Sequence, residues 1–199
     1  MGFDIYGMNP KLNTEETDIL KKDFNHLDES EYENYFEARR KFEKENPGVY
    51  FRNNVWWWRP LWDYVCAVCK DVLTIDDAMG GDSNSGHIIN ENTTTEMAIL
   101  LYKEVKEDNH KKYEKQYTKE LESMPLEDCN LCEGTGHRKD AIFNGTCNKC
   151  QGKGKVKSFN SNYPFSAENV EEFLLFPSHD PINLLFSCFN SSSLIFVLI

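Results

Sequence analysis

The chain has 199 residues, with 22 Lys+Arg against 33 Asp+Glu for a formal net charge of −11, and 40% of its residues are hydrophobic. That apolar content excludes a disordered chain, and the length fits one ordinary domain or a modest domain with a small satellite. The acidic balance excludes a dedicated duplex-DNA binder, which needs several clustered cations on the phosphates.

The opening Met-Gly-Phe-Asp-Ile-Tyr lacks the basic start and apolar run of a signal peptide, so a reducing cytosol is expected. Residues 3–7 alternate apolar and polar and predict a short strand, closed by Asn9-Pro10. Residues 14–46 are highly charged, and their aromatics (Tyr32, Tyr35, Phe36, Phe42) predict a helix with a narrow apolar stripe that ends at Asn46-Pro47-Gly48. Residues 48–53 predict a second strand able to pair with the first. All four tryptophans follow, at 56, 57, 58 and 62. Pro60 suits the first turn of a helix, where its missing N–H costs nothing, and that helix is expected to run to about Leu73. Residues 76–92, rich in Gly, Asp, Asn and Ser, read as a loop. Thr93-x-x-Glu96 reads as a capping box that opens one long helix, ended by Pro125. Ser166 with Asn169 heads a last short helix ending near Phe176. The stretch from Pro181 to the C-terminus carries no charge and finishes in an apolar run with the character of an aggregation-prone strand.

The densest chemistry lies between the long helix and the last one. Residues 129–136 read Cys-Asn-Leu-Cys-Glu-Gly-Thr-Gly and residues 147–154 read Cys-Asn-Lys-Cys-Gln-Gly-Lys-Gly, two copies of CxxCxGxG. Two CxxC pairs at this separation predict one tetrahedral zinc shell from Cys129, Cys132, Cys147 and Cys150. Gly134, Gly136, Gly152 and Gly154 let the backbone curl so that N–H groups point at sulfur. Four thiolates leave no position for water, so the expected site is structural, with one Zn²⁺ per chain. Residues 129–157 hold 6 Lys+Arg against 2 Asp+Glu, a weakly basic island in an acidic chain.

The double CxxCxGxG resembles half of the cysteine-rich domain of DnaJ-type co-chaperones, which carries four repeats and two zinc ions. The resemblance covers about residues 129–157 and implies a zinc knuckle pair. It also implies, as an alternative function, a co-chaperone-like binder of unfolded protein. The His-Pro-Asp of a J domain is absent, and Ser178-His179-Asp180-Pro181 has the wrong order. A second resemblance spans most of residues 1–176. Residues 2–10, the segment Tyr50-Phe-Arg-Asn-Asn-Val-Trp-Trp-Trp-Arg-Pro-Leu-Trp-Asp-Tyr64 and residues 162–170 are similar to a family of bacteriophage proteins without an assigned activity. This implies a viral origin and a host-cell cytoplasm. In that family the last helix runs on to a Gly-Gly-Phe ending, and the present chain departs after Phe176.

Two further groups stand open. Trp56, Trp57, Trp58 and Trp62, beside Arg52, Asn53, Asn54 and Arg59, read either as core anchors or as a surface that stacks bases or a planar ligand. Core is the stronger reading, with at least one ring part-exposed because consecutive residues cannot all face one way. Cys66 and Cys69 form a third CxxC, which reads as two buried thiols on a helix face, as part of a second metal site with His87 or His110, or as a redox pair. The segment from Asp82 to Gly86 opens like a calcium loop, but His87 and Thr93 occupy the places of its Gly and Glu. No Gly-x-Ser-x-Gly, Walker loop or His-Glu-x-x-His occurs, so no enzyme motif is present.

The sequence thus predicts an α+β protein: a mainly helical aromatic body over 1–124 with a short sheet, an inserted zinc β-hairpin over 125–157, a C-terminal helix over 158–176 and an apolar tail over 177–199. The predicted function is a zinc-binding, non-enzymatic accessory protein with a protein partner. A nucleic-acid-binding accessory using the Trp/Arg/Asn segment is the other alternative, disfavoured by the charge. Membrane association is not expected, because 18 uncharged residues fall short of a span of about 20 that would be apolar throughout.

Overall fold

The computed structural model describes residues 2–7, 10, 12–83, 86–140, 142–175 and the backbone of 196–198. The chain divides into two compact units, one of residues 1–110 with 166–199 and one of residues 111–165.

The first unit begins with β1 (Gly2–Gly7), which buries Phe3 and Ile5 on alternate positions. An irregular strap with two short 3-10 turns leads to helix α1 (Tyr32–Glu45). The helix expected over 14–46 is therefore confined to its second half. The strap is held instead by Asn46, fully buried at the helix end, whose Oδ1 accepts from the N–H groups of Asn13 and Thr14 at 2.6 and 2.9 Å. Its Nδ2 donates to the Phe42 carbonyl and to Thr14 Oγ1, both at 2.8 Å. Every polar atom of this buried amide is thus used, as burial requires.

Strand β2 (Tyr50–Asn54) runs antiparallel to β1, with Ile5 opposite Phe51 and Phe3 opposite Asn53. Helix α2 (Val55–Val68) follows without a loop. It starts five residues before Pro60 and stops short of Leu73, in contrast to expectation. Asn54 decides the start: its side chain accepts from the N–H groups of Trp56 and Trp57 at 3.0 and 3.2 Å. An asparagine N-cap of this kind contributes roughly 1 kcal/mol. Pro60 is accommodated inside the helix and is buried.

Residues 76–92 are not a loop. They contain helix α3 (Ile75–Asp82) and strand β3 (His87–Ile89). A capping box starts α3: Thr74 Oγ1 accepts from the Asp77 N–H at 3.1 Å, and Asp77 Oδ2 accepts from the Thr74 N–H at 3.0 Å. The Gly80-Gly81 pair that reads as a turn is there for close packing. A Cβ on Gly81 would lie 2.0 Å from the Trp62 ring, and one on Gly80 would lie 2.3 Å from the His87 ring.

The single long helix expected over 93–124 is two helices, α4 (Glu91–Lys106) and α5 (Asn109–Ser123). Asn90, not Thr93, caps α4, accepting from the Thr93 N–H at 3.0 Å. The break falls at Asp108, whose φ of +54 no helix can continue. Helix α6 (Ala167–Leu175) closes the described chain before the tail, with Ser166 Oγ accepting from the Asn169 N–H at 3.2 Å.

The core of this unit is aromatic. Trp58 is fully buried, stacked on Phe3 at 5.3 Å and on Trp62 at 5.4 Å, with Phe173 of α6 edge-on at 6.1 Å. Both indoles are satisfied: Trp58 Nε1 donates to the Gly81 carbonyl at 2.7 Å and Trp62 Nε1 to the Ala78 carbonyl at 2.9 Å. The two tryptophans thereby fasten α2 to α3.

Of the tail, residues 176–195 and 199 lie outside the described residues. Phe196–Leu198 form β8, which pairs antiparallel with β1 on one side and β3 on the other, giving the sheet order β2-β1-β8-β3. Among the described residues, no helix is long and apolar enough to cross a membrane.

Asp77 is a second fastener in this unit. It is buried and its Oδ1 lies 2.8 Å from His87 Nε2. Burial pushes its carboxyl up, but the hydrogen bonds from Thr74 and His87 outweigh that and hold it below the usual value of 3.8. A carboxyl lowered on folding adds stability that is complete above its unfolded pKa and is lost as pH falls through the folded one. The α3–β3 attachment should therefore weaken below pH 3.8. Asp77→Asn should cost about 1–3 kcal/mol at neutral pH, a gap that closes in acid. Urea unfolding followed by tryptophan fluorescence at pH 7 and pH 3 checks this, and an equal gap at both would refute it.

Candidate metal centre

The second unit builds one site from two copies of one turn. Strand β4 (Glu127–Asp128) enters the first CxxCxGxG and strand β5 (His137–Lys139) leaves it, while β6 (Asn144–Thr146) enters the second and β7 (Lys155–Val156) leaves it. The pairing crosses over: β4 bonds to β7, and β5 bonds to β6, both antiparallel. The repeats are thus related by an approximate two-fold. Cys129 N–H donates to the Gly154 carbonyl at 2.8 Å, and Cys147 N–H to the Gly136 carbonyl at 2.9 Å.

Each turn curls in the same way. Glu133 and Gln151 both have φ of +51, Gly134 and Gly152 +81, and Gly136 and Gly154 +73 and +71. The last pair permits close approach as well as a left-handed backbone. A Cβ on Gly136 would lie 2.3 Å from the Gly152 carbonyl oxygen, and one on Gly154 would lie 2.2 Å from that of Gly134. The curl delivers donors to sulfur: Gly136 N–H points at Cys132 Sγ and Gly154 N–H at Cys150 Sγ, each at 3.3 Å.

The four cysteines are buried, and their sulfurs all lie within 4.8 Å of one another with no disulfide between them. Cys129 Sγ is 3.8 Å from Cys147 Sγ, and Cys132 Sγ is 3.7 Å from Cys150 Sγ. A tetrahedral ion with bonds of about 2.3 Å to sulfur requires S···S edges of about 3.8 Å. A disulfide would need about 2.05 Å. The separation thus fits four ligands around one ion, and the donor set is compatible with zinc. The backbone N–H groups of Cys150 and Lys149 draw the Cys147 thiol down to about 7, whereas burial pushes Cys132 up to about 11. A bound dication supplies what the protein alone does not, namely the charge that keeps all four thiolate. Gly136→Ala should place a side chain against the Gly152 backbone in a left-handed conformation, with a cost of at least about 1–2 kcal/mol. Competition with a chromophoric chelator should show faster metal release than in the native chain, and unchanged release would contradict the packing argument.

The third CxxC is placed differently. Cys69 is buried with Sγ 4.0 Å from the Met97 carbonyl, and Cys66 is partly buried. Burial pushes both thiols up to about 12, so neither presents a thiolate at neutral pH. The histidines proposed to join them are engaged elsewhere, His87 with Asp77 and His110 Nε2 with Glu171 at 2.9 Å. Among the described residues, the group of metal-ligand type that comes together is the Cys129, Cys132, Cys147 and Cys150 cluster.

The tryptophan segment divides by position on α2. Trp58 and Trp62 are core, whereas Trp56 and Trp57 are 37% and 38% exposed in the first turn. Arg52 lies 3.4 Å from Asp4, Asn53 donates to Asn169 at 2.7 Å, Asn54 caps the helix, and Arg59 is exposed. Polar residues expected to face a ligand are thus in part structural. Asp77, Gly80 and Gly81 stand in no motif of the sequence that marks them as structural, apart from the Thr74-x-x-Asp77 spacing, which signals the first. Comparison with protein-family models, with curated proteins and with solved structures finds no match.

Proposed function

We propose that this chain is a non-enzymatic, zinc-stabilised accessory protein in which Cys129, Cys132, Cys147 and Cys150 hold one Zn²⁺ as a structural clasp. The observation that carries this reading is the closed shell: four buried sulfurs with cross-repeat edges of 3.7 and 3.8 Å. A full tetrahedron of thiolates leaves no site for substrate or activated water, so its contribution is folding energy. The clasp shapes its module, and binding falls to the surfaces that the fold leaves open. Trp56 and Trp57 form such a surface for a protein partner on the first unit. Their rings are large, part-exposed and carried on a capped helix, as at contact hot spots. The resemblance to bacteriophage proteins makes the host-cell cytoplasm the setting of this role. Elemental analysis of protein purified under reducing conditions tests the reading. One zinc per chain, lost in Cys147→Ser, is the expected result, and metal-free folded protein would overturn it.

A further inference from the structure

Charge is segregated between the two units. Residues 111–165 hold ten Lys+Arg against seven Asp+Glu, and the rest of the chain holds twelve against twenty-six. Pairing within the second unit cancels equally, Asp128 with Lys155 at 2.7 Å and Asp140 with Arg138, and four thiolates around one dication lower the excess by two more, so the loaded unit is only slightly positive and its free cations are particular lysines. Lys139, Lys153 and Lys157 are exposed, and none has a carboxylate within ion-pair distance among the described residues. Along the sequence the cations alternate with exposed rings. Phe143 is 41% exposed beyond Arg138 and Lys139, and Phe159 is 61% exposed just after Lys153, Lys155 and Lys157.

The first of these rings is held in place. Asp140 Oδ1 accepts from the N–H groups of Ile142 and Phe143, both at 2.9 Å, and Asp140 N–H donates to the Phe143 carbonyl at 2.9 Å. The Arg138 guanidinium lies 5.8 Å from the centre of the Phe143 ring. The β5–β6 connection is thus a closed turn that presents an aromatic face with a cation beside it. A fixed ring loses little freedom when a planar group stacks on it. Phe159 is positioned edge-on to Tyr163 at 6.0 Å.

We propose that residues 111–165 bind single-stranded nucleic acid, with Phe143 and Phe159 as stacking platforms for unpaired bases and Lys139, Lys153 and Lys157 as phosphate contacts. The charge is too small for tight duplex binding, which rests on many phosphate contacts, whereas exposed rings between cations suit unpaired bases of any sequence. The proposal rests on the clasp reading only in that the metal holds β5, β6 and β7 in place; the two fail separately, because zinc content and oligonucleotide binding are measured independently.

Fluorescence anisotropy of a labelled oligothymidylate with the full-length, zinc-loaded chain tests it. With about three phosphates contacted, raising salt from about 50 to about 200 mM should weaken binding roughly twentyfold. Phe143→Ala and Phe159→Ala should each weaken it about tenfold. Lys153→Glu with Lys157→Glu should weaken it and flatten the salt dependence. Zinc content is measured for each variant, so a loss of fold is recognised. Ile75→Ala, at an exposed position of the first unit, should bind like the native chain. The proposal is overturned by no binding at 50 mM salt, by equal affinity for a duplex of the same length, or by zinc-loaded phenylalanine variants that bind as well as the native chain. It is equally overturned if Trp56→Ala, and not the phenylalanine variants, abolishes binding, or if the chain instead associates with itself through these lysines.

Discussion

Removal of the metal by a strong chelator, or by Cys147→Ser, should unfold residues 127–156 while the first unit keeps its structure. The expected effect is large because, among the described residues, this region has almost no other core. Its buried cluster consists of Cys129, Cys132, Cys147 and Cys150, with Val156 packed against them. Its strands are two or three residues long and pair two by two. Strands this short have no independent stability. A structural zinc contributes about 10–16 kcal/mol at neutral pH, more than the whole stability of many domains. Without it, four buried sulfurs and six left-handed residues have nothing to hold them. The signature is separable, since all four tryptophans lie in residues 1–110. Chelation should abolish amide-exchange protection at Cys129, Cys147 and their bonded glycines and leave tryptophan fluorescence unchanged. Retained protection after complete metal removal would show that the clasp is not what folds this unit.

Trp58→Ala should destabilise the first unit by about 3–5 kcal/mol, the range for truncating a buried aromatic residue. The position warrants the upper half of that range. Trp58 is fully buried and meets Phe3 of β1, Trp62 of α2 and Phe173 of α6. Its removal opens a cavity where three elements converge and strips the Gly81 carbonyl of its 2.7 Å partner. Trp58→Phe keeps much of the volume and loses the indole N–H, so its cost should fall to about 1–3 kcal/mol. Trp56→Ala, on an exposed turn, should cost well under about 1 kcal/mol. Urea denaturation monitored by circular dichroism ranks the three. Similar losses for Trp56→Ala and Trp58→Ala would contradict the division of the tryptophan run into surface and core.

Chelation and truncation address the two ways in which this chain encodes structure, and sequence reading fares differently with each. The four-cysteine cluster was legible because its determinants are local. Two residues between cysteines set the bite of each pair, and the glycines two and four positions later have left-handed φ for reasons confined to the same turn. The pairing of β1 with β2 and the end of α1 at Asn46 were likewise legible from alternation and from a breaker. The stretch from 54 to 108 was not. Pro60 pointed to a helix start that Asn54 pre-empts. Gly80-Gly81 has the composition of a turn but is helical, and Asp108 ends a helix that the apolar stripe continues through.

What the sequence by itself determined is the cluster of Cys129, Cys132, Cys147 and Cys150, because the CxxCxGxG turn acts over a few residues and tolerates few residue types. Only the tertiary structure decided that Trp58 and Trp62 are core while Trp56 and Trp57 are surface, and that two glycines make room for indole and imidazole rings. It also left the Phe143 and Phe159 rings exposed. Burial is set by elements distant in sequence, and a one-dimensional pattern records the residues but not the neighbours that select their roles.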